Sequence, residues 1–153
     1  MDGPTFRLGR RRFLVLAGVG VGAAGGVACG SGAGVQPASV GDVSAGNVSS
    51  LPVGSLRVVS GEAVCIGRDS GGVYAMTLTC THAGCDIGTT GEVSPSGLVC
   101  GCHGSRFDAN GNVVSGPAPS PLDHFAVSAD ASGNLTIHGG QVVGASARLA
   151  VMG

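Results

Sequence analysis

Two short segments of the chain concentrate side chains that bind metals or form crosslinks. They read Cys80-Thr-His-Ala-Gly-Cys85 and Cys100-Gly-Cys-His-Gly-Ser105, and together they hold four of the six cysteines and two of the four histidines. Each segment supplies a thiol and an imidazole two or three residues apart, and on a short loop both can converge on one point. The candidate ligands of one metal centre are Cys80, His82, Cys100 and His103.

The same residue types fit more than one kind of site. Two thiolates and two imidazoles are a common ligand set of structural zinc. Four cysteines in an exported domain are also compatible with a pair of structural disulfides, in which the histidines have no role. The second cysteine of each segment, Cys85 and Cys102, argues against both alternatives, because a zinc site needs no further crosslink and a disulfide-only domain needs no histidine in each segment.

The first 29 residues have the pattern of an export signal. A basic patch containing Arg10 and Arg11 precedes Phe13, Leu14 and a glycine-rich apolar run that ends on small residues. The paired arginines resemble the twin-arginine signal, which exports proteins already folded around a cofactor. Cys29 resembles the lipidated cysteine of a lipoprotein, and the alternatives are simple cleavage and an uncleaved signal anchor. All three predict that the chain is exported, to the periplasmic or extracytoplasmic face of the cytoplasmic membrane.

Composition and charge narrow the classes of function. Thirty glycines in 153 residues favour turns and loops over long helices. Beyond residue 29, four arginines oppose eight acidic residues, and this net charge of about −4 argues against a nucleic-acid-binding surface. Residues 30–50 are rich in Ser, Gly and Ala without apolar periodicity, which predicts a flexible linker.

From residue 51 onward, short β-prone runs alternate with turn signals such as Pro95-Ser-Gly97 and Asn110-Gly-Asn112. The runs cover residues 56–60, 63–67, 72–78, 97–100, 125–129 and 134–138. Short strands at this spacing predict an all-β domain, a small antiparallel sandwich or barrel, over residues 51–140. No helix is expected after the signal, and residues 141–153 are predicted to be a C-terminal tail.

The two cysteine segments, Cys-Thr-His-x-Gly-Cys and Cys-x-Cys-His-Gly-Ser, resemble the Rieske [2Fe-2S] iron–sulfur proteins. The similarity extends to Ser105-Arg-Phe-Asp108, to Gly116-Pro-Ala-Pro119 with Leu122 after it, and to the run of strands from about residue 51 to 140. Because both segments carry a second cysteine, the chain is similar to the disulfide-containing, cytochrome bc-like type. The resemblance implies a Rieske-like fold in which a loop-built subdomain binds one [2Fe-2S] cluster.

The resemblance also implies a role for each matching residue. Cys80 and Cys100 would bind one iron, and His82 and His103 the other. Ser105 would donate a hydrogen bond to a cluster sulfur, and residues 116–119 would form a third loop that covers the cluster. The remaining cysteines of the two segments, Cys85 and Cys102, would form a disulfide that links the loops. His124 and His138 match nothing in the motif and are predicted to be ordinary strand residues, and Cys65 a buried thiol.

The implied function is electron transfer, as a component of an oxidoreductase rather than as a stand-alone enzyme. The expected partner is a redox protein, either a cytochrome or an oxidoreductase complex, with quinol as a further candidate and with a lipid or signal anchor at the membrane. Ala83 and Phe107 stand where quinol-oxidising subunits usually carry Leu and Tyr, which favours a free-standing exported carrier. The alternatives are a subunit of a cytochrome bc-type quinol oxidoreductase and the small subunit of a molybdenum oxidase such as arsenite oxidase. A zinc-binding structural module is the alternative from a different class.

Overall fold

The computed structural model describes residues 41–151, and within them nearly all regular structure is β. The predicted signal, the lipidation site at Cys29 and most of the predicted linker lie outside the described residues. The strands are β1 (Asp42–Asn47), β2 (Ser55–Val58), β3 (Val64–Asp69), β4 (Gly72–Thr77), β5 (Glu92–Ser94), β6 (Gly97–Val99), β7 (Arg106–Phe107), β8 (Val113–Ser115), β9 (His124–Ala129) and β10 (Asn134–Val143). This confirms the all-β prediction.

The strands form two antiparallel sheets. The larger has six strands in the order β1-β10-β9-β4-β3-β2, and the smaller has four in the order β5-β6-β7-β8. In β3 and β4 the side chains point alternately to the two faces of the sheet. Ile66 and Ala75 belong to one core cluster, whereas Cys65 and Met76 belong to the other. Both faces of these strands are covered, which explains why their sequences are continuous apolar runs.

One core cluster lies between the two sheets and reaches the candidate metal ligands. It contains Tyr74 and Met76 of the large sheet, Leu98 and Phe107 of the small sheet, and the cysteines Cys80 and Cys100 among others. The second cluster covers the other face of the large sheet. The candidate ligands Cys80 and Cys100 are therefore part of the packed interior.

The linker predicted over residues 30–50 is too long at its C-terminal end, because residues 42–47 form β1. This edge strand pairs with β10, with Val43 opposite Ile137. Val43 and Ala45 are buried while Ser44 between them is exposed. Alternation over so few residues, in a segment rich in Ser, Gly and Ala, gives a weak strand signal that the sequence composition concealed.

The tail predicted from residue 141 is also part of the fold. Strand β10 continues to Val143, and its last residues pair with the beginning of β9. Farther on, the backbones of Val73 and Leu149 exchange two hydrogen bonds of 2.9 and 2.8 Å. The folded domain therefore extends beyond residue 140 to at least Leu149.

Within the described residues, one short α-helix and one 3-10 turn, Val48–Ser50, interrupt the β structure, where no helix was expected. The helix α1 covers Ile87–Thr90, and the side chain of Asp86 caps it by accepting a hydrogen bond from the Gly88 amide at 2.8 Å. Four residues are too few to give a helical period in the sequence. Among residues 41–151, no helix is long and apolar enough to cross a membrane.

Candidate metal centre

The candidate ligands lie on two six-residue loops that belong to different sheets. Loop 1, residues 80–85, comes shortly after β4 of the large sheet. Loop 2, residues 100–105, joins β6 to β7 of the small sheet. The relative position of the two sheets therefore decides how the loops face each other.

The two loops share one backbone conformation. In loop 1 the amide of Cys80 donates to the carbonyl of Cys85, and the amide of Gly84 donates back to Cys80, both at 2.8 Å. In loop 2, Cys100 and Ser105 make the same hydrogen bond at 2.8 Å, and Gly104 donates to Cys100 at 2.9 Å. Both glycines have positive φ, +74° and +76°, a conformation that L side chains rarely adopt. The glycine in each segment is thus required by the turn.

The first residue of each loop is a buried cysteine with a free thiol. Cys80 is 2% exposed and Cys100 is 1% exposed, and neither is part of a disulfide. Burial raises the pKa of Cys100, and the neighbouring Cys80 thiol raises it further, while backbone amides of loop 2 oppose the shift. Ionising the Cys100 thiol is therefore costly unless a cation lies beside it. A metal centre that binds both as thiolates would remove that cost.

The histidines lie on the outer side of the loops. His82 and His103 are exposed, and their rings are 4.7 Å apart between centroids with an interplanar angle of 85°. They occupy different positions of the shared turn, the third residue of loop 1 and the fourth of loop 2. The structure therefore places the two free thiols next to each other in the interior and the two imidazoles next to each other at the surface.

Cys85 and Cys102 form a disulfide that joins the loops, as the resemblance implied. Their Cα atoms are 6.6 Å apart, and their sulfurs lie within 4.8 Å of the Cys100 sulfur. Of these three sulfurs, only that of Cys100 belongs to a free thiol and can bind metal as a thiolate. The bond crosslinks the sheets next to the candidate ligands.

A third segment, residues 116–120, contacts both loops. The hydroxyl oxygen of Ser105 is fully buried and accepts a hydrogen bond from the Ala118 amide at 3.0 Å. The hydroxyl of Thr81 in loop 1 donates to the Ser120 carbonyl at 2.7 Å. Sequence reasoning singled out Ser105 and residues 116–119 but missed Thr81, because a threonine beside a ligand gives no signal of a backbone partner 39 residues away.

The other two histidines lie in strands, away from the loops. His124 begins β9, is 2% exposed, and has its Nε2 atom 3.0 Å from the Asn110 carbonyl oxygen. His138 in β10 lies between the carboxylate of Asp42 and the hydroxyl of Ser128, at 3.0 and 2.8 Å. Cys65 is fully buried, and burial raises its pKa to about 12. These are structural environments, consistent with their predicted roles.

Comparison with known proteins identifies the class to which this site belongs. The family model of the Rieske [2Fe-2S] domain matches residues 41–126. The chain therefore belongs to the Rieske [2Fe-2S] family, whose domain binds one [2Fe-2S] cluster and serves electron transfer. The donor set agrees with this assignment, because two cysteines and two histidines are the ligands of a Rieske centre.

Individual relatives include iron–sulfur subunits of the cytochrome b6-f complex. The chain is 44% identical over 61 residues to the cytochrome b6-f complex iron–sulfur subunit of Cyanothece sp. (strain PCC 7425 / ATCC 29141), which is 39% of this chain and 33% of that protein. It is 36% identical over 74 residues to the same subunit of Synechococcus sp. (strain JA-2-3B'a(2-13)), or 47% and 42% of the two chains. The matched segment thus spans less than half of these relatives.

Among solved structures, the chain is similar to the plasma membrane Rieske protein of the cyanobacterium Synechocystis PCC 6803. The sequence identity is 29%, the TM-score is 0.48, and the similarity covers 62% of this chain and 97% of that one.

Proposed function

We propose that this protein is an exported one-electron carrier whose [2Fe-2S] cluster is held by Cys80 and Cys100 on one iron and by His82 and His103 on the other. The observation that carries the proposal is the shared conformation of loops 1 and 2. Each presents one buried thiol and one exposed imidazole, and the loops come from different sheets. A single centre that needs two ligands from each loop accounts for this arrangement.

The bound cluster supplies one-electron transfer at a potential that neutral imidazole ligands raise above that of all-cysteine clusters. The chain supplies the surroundings. The buried cysteines shield the inner side from water, and the disulfide and Ser105 fix the loops around it. His82 and His103 are exposed at the surface, where each can hold a proton on its outer ring nitrogen and where a partner can approach closely. Electron exchange through the histidine side follows from this placement.

The four histidines offer a matched test of the ligand assignment. His82→Gln and His103→Gln should abolish the EPR signal of a Rieske centre in the reduced full-length protein, whereas His138→Gln and His124→Gln should retain it. The wild-type protein should contain about two irons and two sulfides per chain, as the ligand set requires. A colourless protein with one zinc per chain, or a normal spectrum in His82→Gln, would contradict the proposal.

The exported location rests on the sequence of the first 29 residues. Replacing Arg10 and Arg11 by Lys should leave the protein in the cytoplasm, while the wild type is found outside it. Mass spectrometry of the mature N-terminus should find a lipid on Cys29. An unmodified N-terminus elsewhere would reject lipidation but not export, whereas an unprocessed chain in the cytoplasm would reject both.

A second candidate is the Rieske subunit of a quinol-oxidising complex. A cleft of about 530 Å³ reaches His82 between loop 1 and residues 120–123, and its lining includes Thr79, Ala83 and Pro121. The relatives named as cytochrome b6-f subunits favour a partner that is an oxidoreductase complex. Reduction of the cluster by a quinol analogue in membranes, abolished by Ala83→Trp in the cleft wall, would favour this role. Equal reduction of the wild type and of Ala83→Trp would favour the free-standing carrier instead.

A further inference from the structure

The two halves of the candidate metal centre stand on separate sheets, so something must fix the sheets relative to each other. Loop 1 extends from the large sheet and loop 2 from the small sheet. The disulfide joins the loops at the site itself. At the other end of β7 and β8, the turn 108–112 lies against the large sheet. Arg148, from the C-terminal segment, contacts this turn.

Arg148 contacts a turn from each sheet. Its Nε donates to the carboxylate of Asp69, at the end of β3, over 2.7 Å. Its Nη2 donates to the side-chain oxygen of Asn110, in the turn between β7 and β8, over 2.6 Å. One guanidinium therefore joins the β3–β4 turn of the large sheet to the β7–β8 turn of the small sheet.

The guanidinium is itself held in place. Its Nη1 donates to the carbonyls of Ala145 and Ala147, both at 2.9 Å, and its central carbon lies 4.2 Å from the centroid of the Tyr74 ring. The next residue, Leu149, is hydrogen-bonded to Val73 through the backbone. Only 16% of the Arg148 side chain is exposed. A planar group with this many fixed partners acts as a rigid connector, which a lysine cannot replace.

The turn that Arg148 holds is also held by the large sheet through its backbone. The hydroxyl of Tyr74 donates to Ala109 and the amide of Leu122 donates to Gly111, at 3.0 and 2.9 Å. The Nε2 atom of His124 lies 3.0 Å from the carbonyl oxygen of Asn110. Arg148 adds the side-chain contact to Asn110, so this turn is attached to the large sheet on several sides.

The opposite end of the same hairpin carries the site. Strand β7 begins directly after Ser105, the last residue of loop 2, and β8 ends directly before Gly116, where the third segment begins. Because β7 and β8 are paired, fixing their turn fixes the direction in which loop 2 and residues 116–119 leave the strands.

We propose that Arg148 is a positioning residue for the metal centre: by joining Asp69 to Asn110, it sets the angle between the sheets and hence the distance between loops 1 and 2. The inference rests on the proposed function only in taking the two loops as the two halves of one centre. It assigns a role in the redox site to the C-terminal segment, which carries none of the ligands.

The test compares full-length holoprotein variants by two measurements. Metal release to a chelator, well below the unfolding temperature, reports how often the loops separate, and the line width of the EPR signal reports how uniform the ligand geometry is. Arg148→Gln and Asn110→Ala should release metal about tenfold faster, the change expected for losing one charge-assisted hydrogen bond, and should broaden the EPR lines. Arg148→Lys should behave like Arg148→Gln, since it retains the charge without the fork.

Arg57→Gln is the matched control. Arg57 also donates to a carbonyl, that of Ala45 at 2.8 Å, but both residues belong to the large sheet. It should lower the urea midpoint of unfolding without faster metal release or broader lines. The positioning role is wrong if the Arg57 and Arg148 variants release metal equally fast at an equal loss of stability. It is also wrong if Arg148→Lys releases metal at the wild-type rate. Should Arg148→Gln fail to fold, Asn110→Ala decides the question alone.

A failure of the proposed function gives a different result from a failure of the Arg148 proposal. If the wild-type protein contains zinc in place of iron and sulfide, the electron-carrier proposal is overturned. Release of that zinc still measures whether Arg148 holds the loops together.

Discussion

Gly84 and Gly104 occupy equivalent positions in the two loops: each donates to the carbonyl of the cysteine four residues earlier and each has a positive φ. A Cβ atom added at either position would meet no atom within 4 Å, so the cost of a substitution is conformational and not steric. The chain thus builds one turn twice, and the type of residue at each position of the turn decides what the turn does. The first position holds the free thiol in both loops. The histidine precedes the crosslinking cysteine in loop 1 and follows it in loop 2.

We expect Gly104→Ala to destabilise the protein by about 1–2 kcal/mol, the cost of holding an L residue in the left-handed region, and to accelerate metal loss. Chelator competition and urea unfolding of the holoprotein measure the two effects. Gly61→Ala is the control for strain elsewhere, since Gly61 has φ +83° and open space but lies outside the loops, and Gly144→Ala is the control without positive φ. Equal metal loss in Gly61→Ala and Gly104→Ala would contradict a specific requirement of the loop.

The disulfide gives a second prediction. Cys85 and Cys102 are 17 residues apart in sequence, and a crosslink over a loop of this length stabilises a protein by about 3 kcal/mol in the chain-entropy model. Replacing both cysteines by Ser should lower the free energy of unfolding by about that amount and make the cluster labile, while the four ligands remain. Circular dichroism and iron release measure this. A double variant that retains its iron as well as the wild type does would show that backbone hydrogen bonds suffice.

Cys65 is expected to be inert in the folded protein. It is fully buried, its sulfur lies 3.7 Å from the Met76 carbonyl oxygen, and burial raises its pKa to about 12. Only the thiolate reacts readily with alkylating agents, so iodoacetamide at neutral pH should not modify Cys65 until the protein unfolds. Mass spectrometry after alkylation, with and without denaturant, tests this. Rapid modification in native protein would show that the strand opens locally.

His124 should make the folded protein less stable in mild acid. Burial lowers its pKa from the ordinary value of 6.5, although its contact with Asn110 opposes the shift. The unfolded chain therefore takes up a proton at a higher pH than the folded chain does. The stabilisation is complete above about pH 6.5 and declines as the pH falls from there toward the folded-state pKa.

The unfolding temperature of wild-type holoprotein should thus decrease from pH 7 to pH 5 more steeply than that of His124→Gln, which retains an amide donor for Asn110. Val127→Ala, in the same strand, removes packing without removing a titrating group, and it should show the wild-type slope. Parallel pH profiles for wild type and His124→Gln would mean that His124 does not titrate in this range.

Loops 1 and 2 were predictable from sequence because each is short and contains its own cysteine, histidine and glycine. Strands β3 and β4 were visible in the sequence as continuous apolar runs. Strand β1 was not, since Val43 and Ala45 are a minimal alternation and Ile137, the partner of Val43, is far away in sequence. The Arg148 contacts were not predictable either, because three turns that are dozens of residues apart meet only after both sheets have formed.

Phe107 is 3% exposed and lies in the core cluster that also contains Cys80 and Cys100. The resemblance to quinol-oxidising subunits, which usually carry Tyr at this place, implies that a hydroxyl here would donate a hydrogen bond to the sulfur of a cysteine ligand. Hydrogen bonds to sulfur stabilise the more negative, reduced cluster and raise the potential. Phe107→Tyr should therefore raise the midpoint potential, and Ser105→Ala should lower it, in protein-film voltammetry at one pH. Phe125→Tyr is the control, since Phe125 is equally buried but lies in the core cluster on the other face of the large sheet, and it should leave the potential unchanged. If Phe107→Tyr retains its cluster at the wild-type potential, the residue at position 107 does not reach a ligand sulfur.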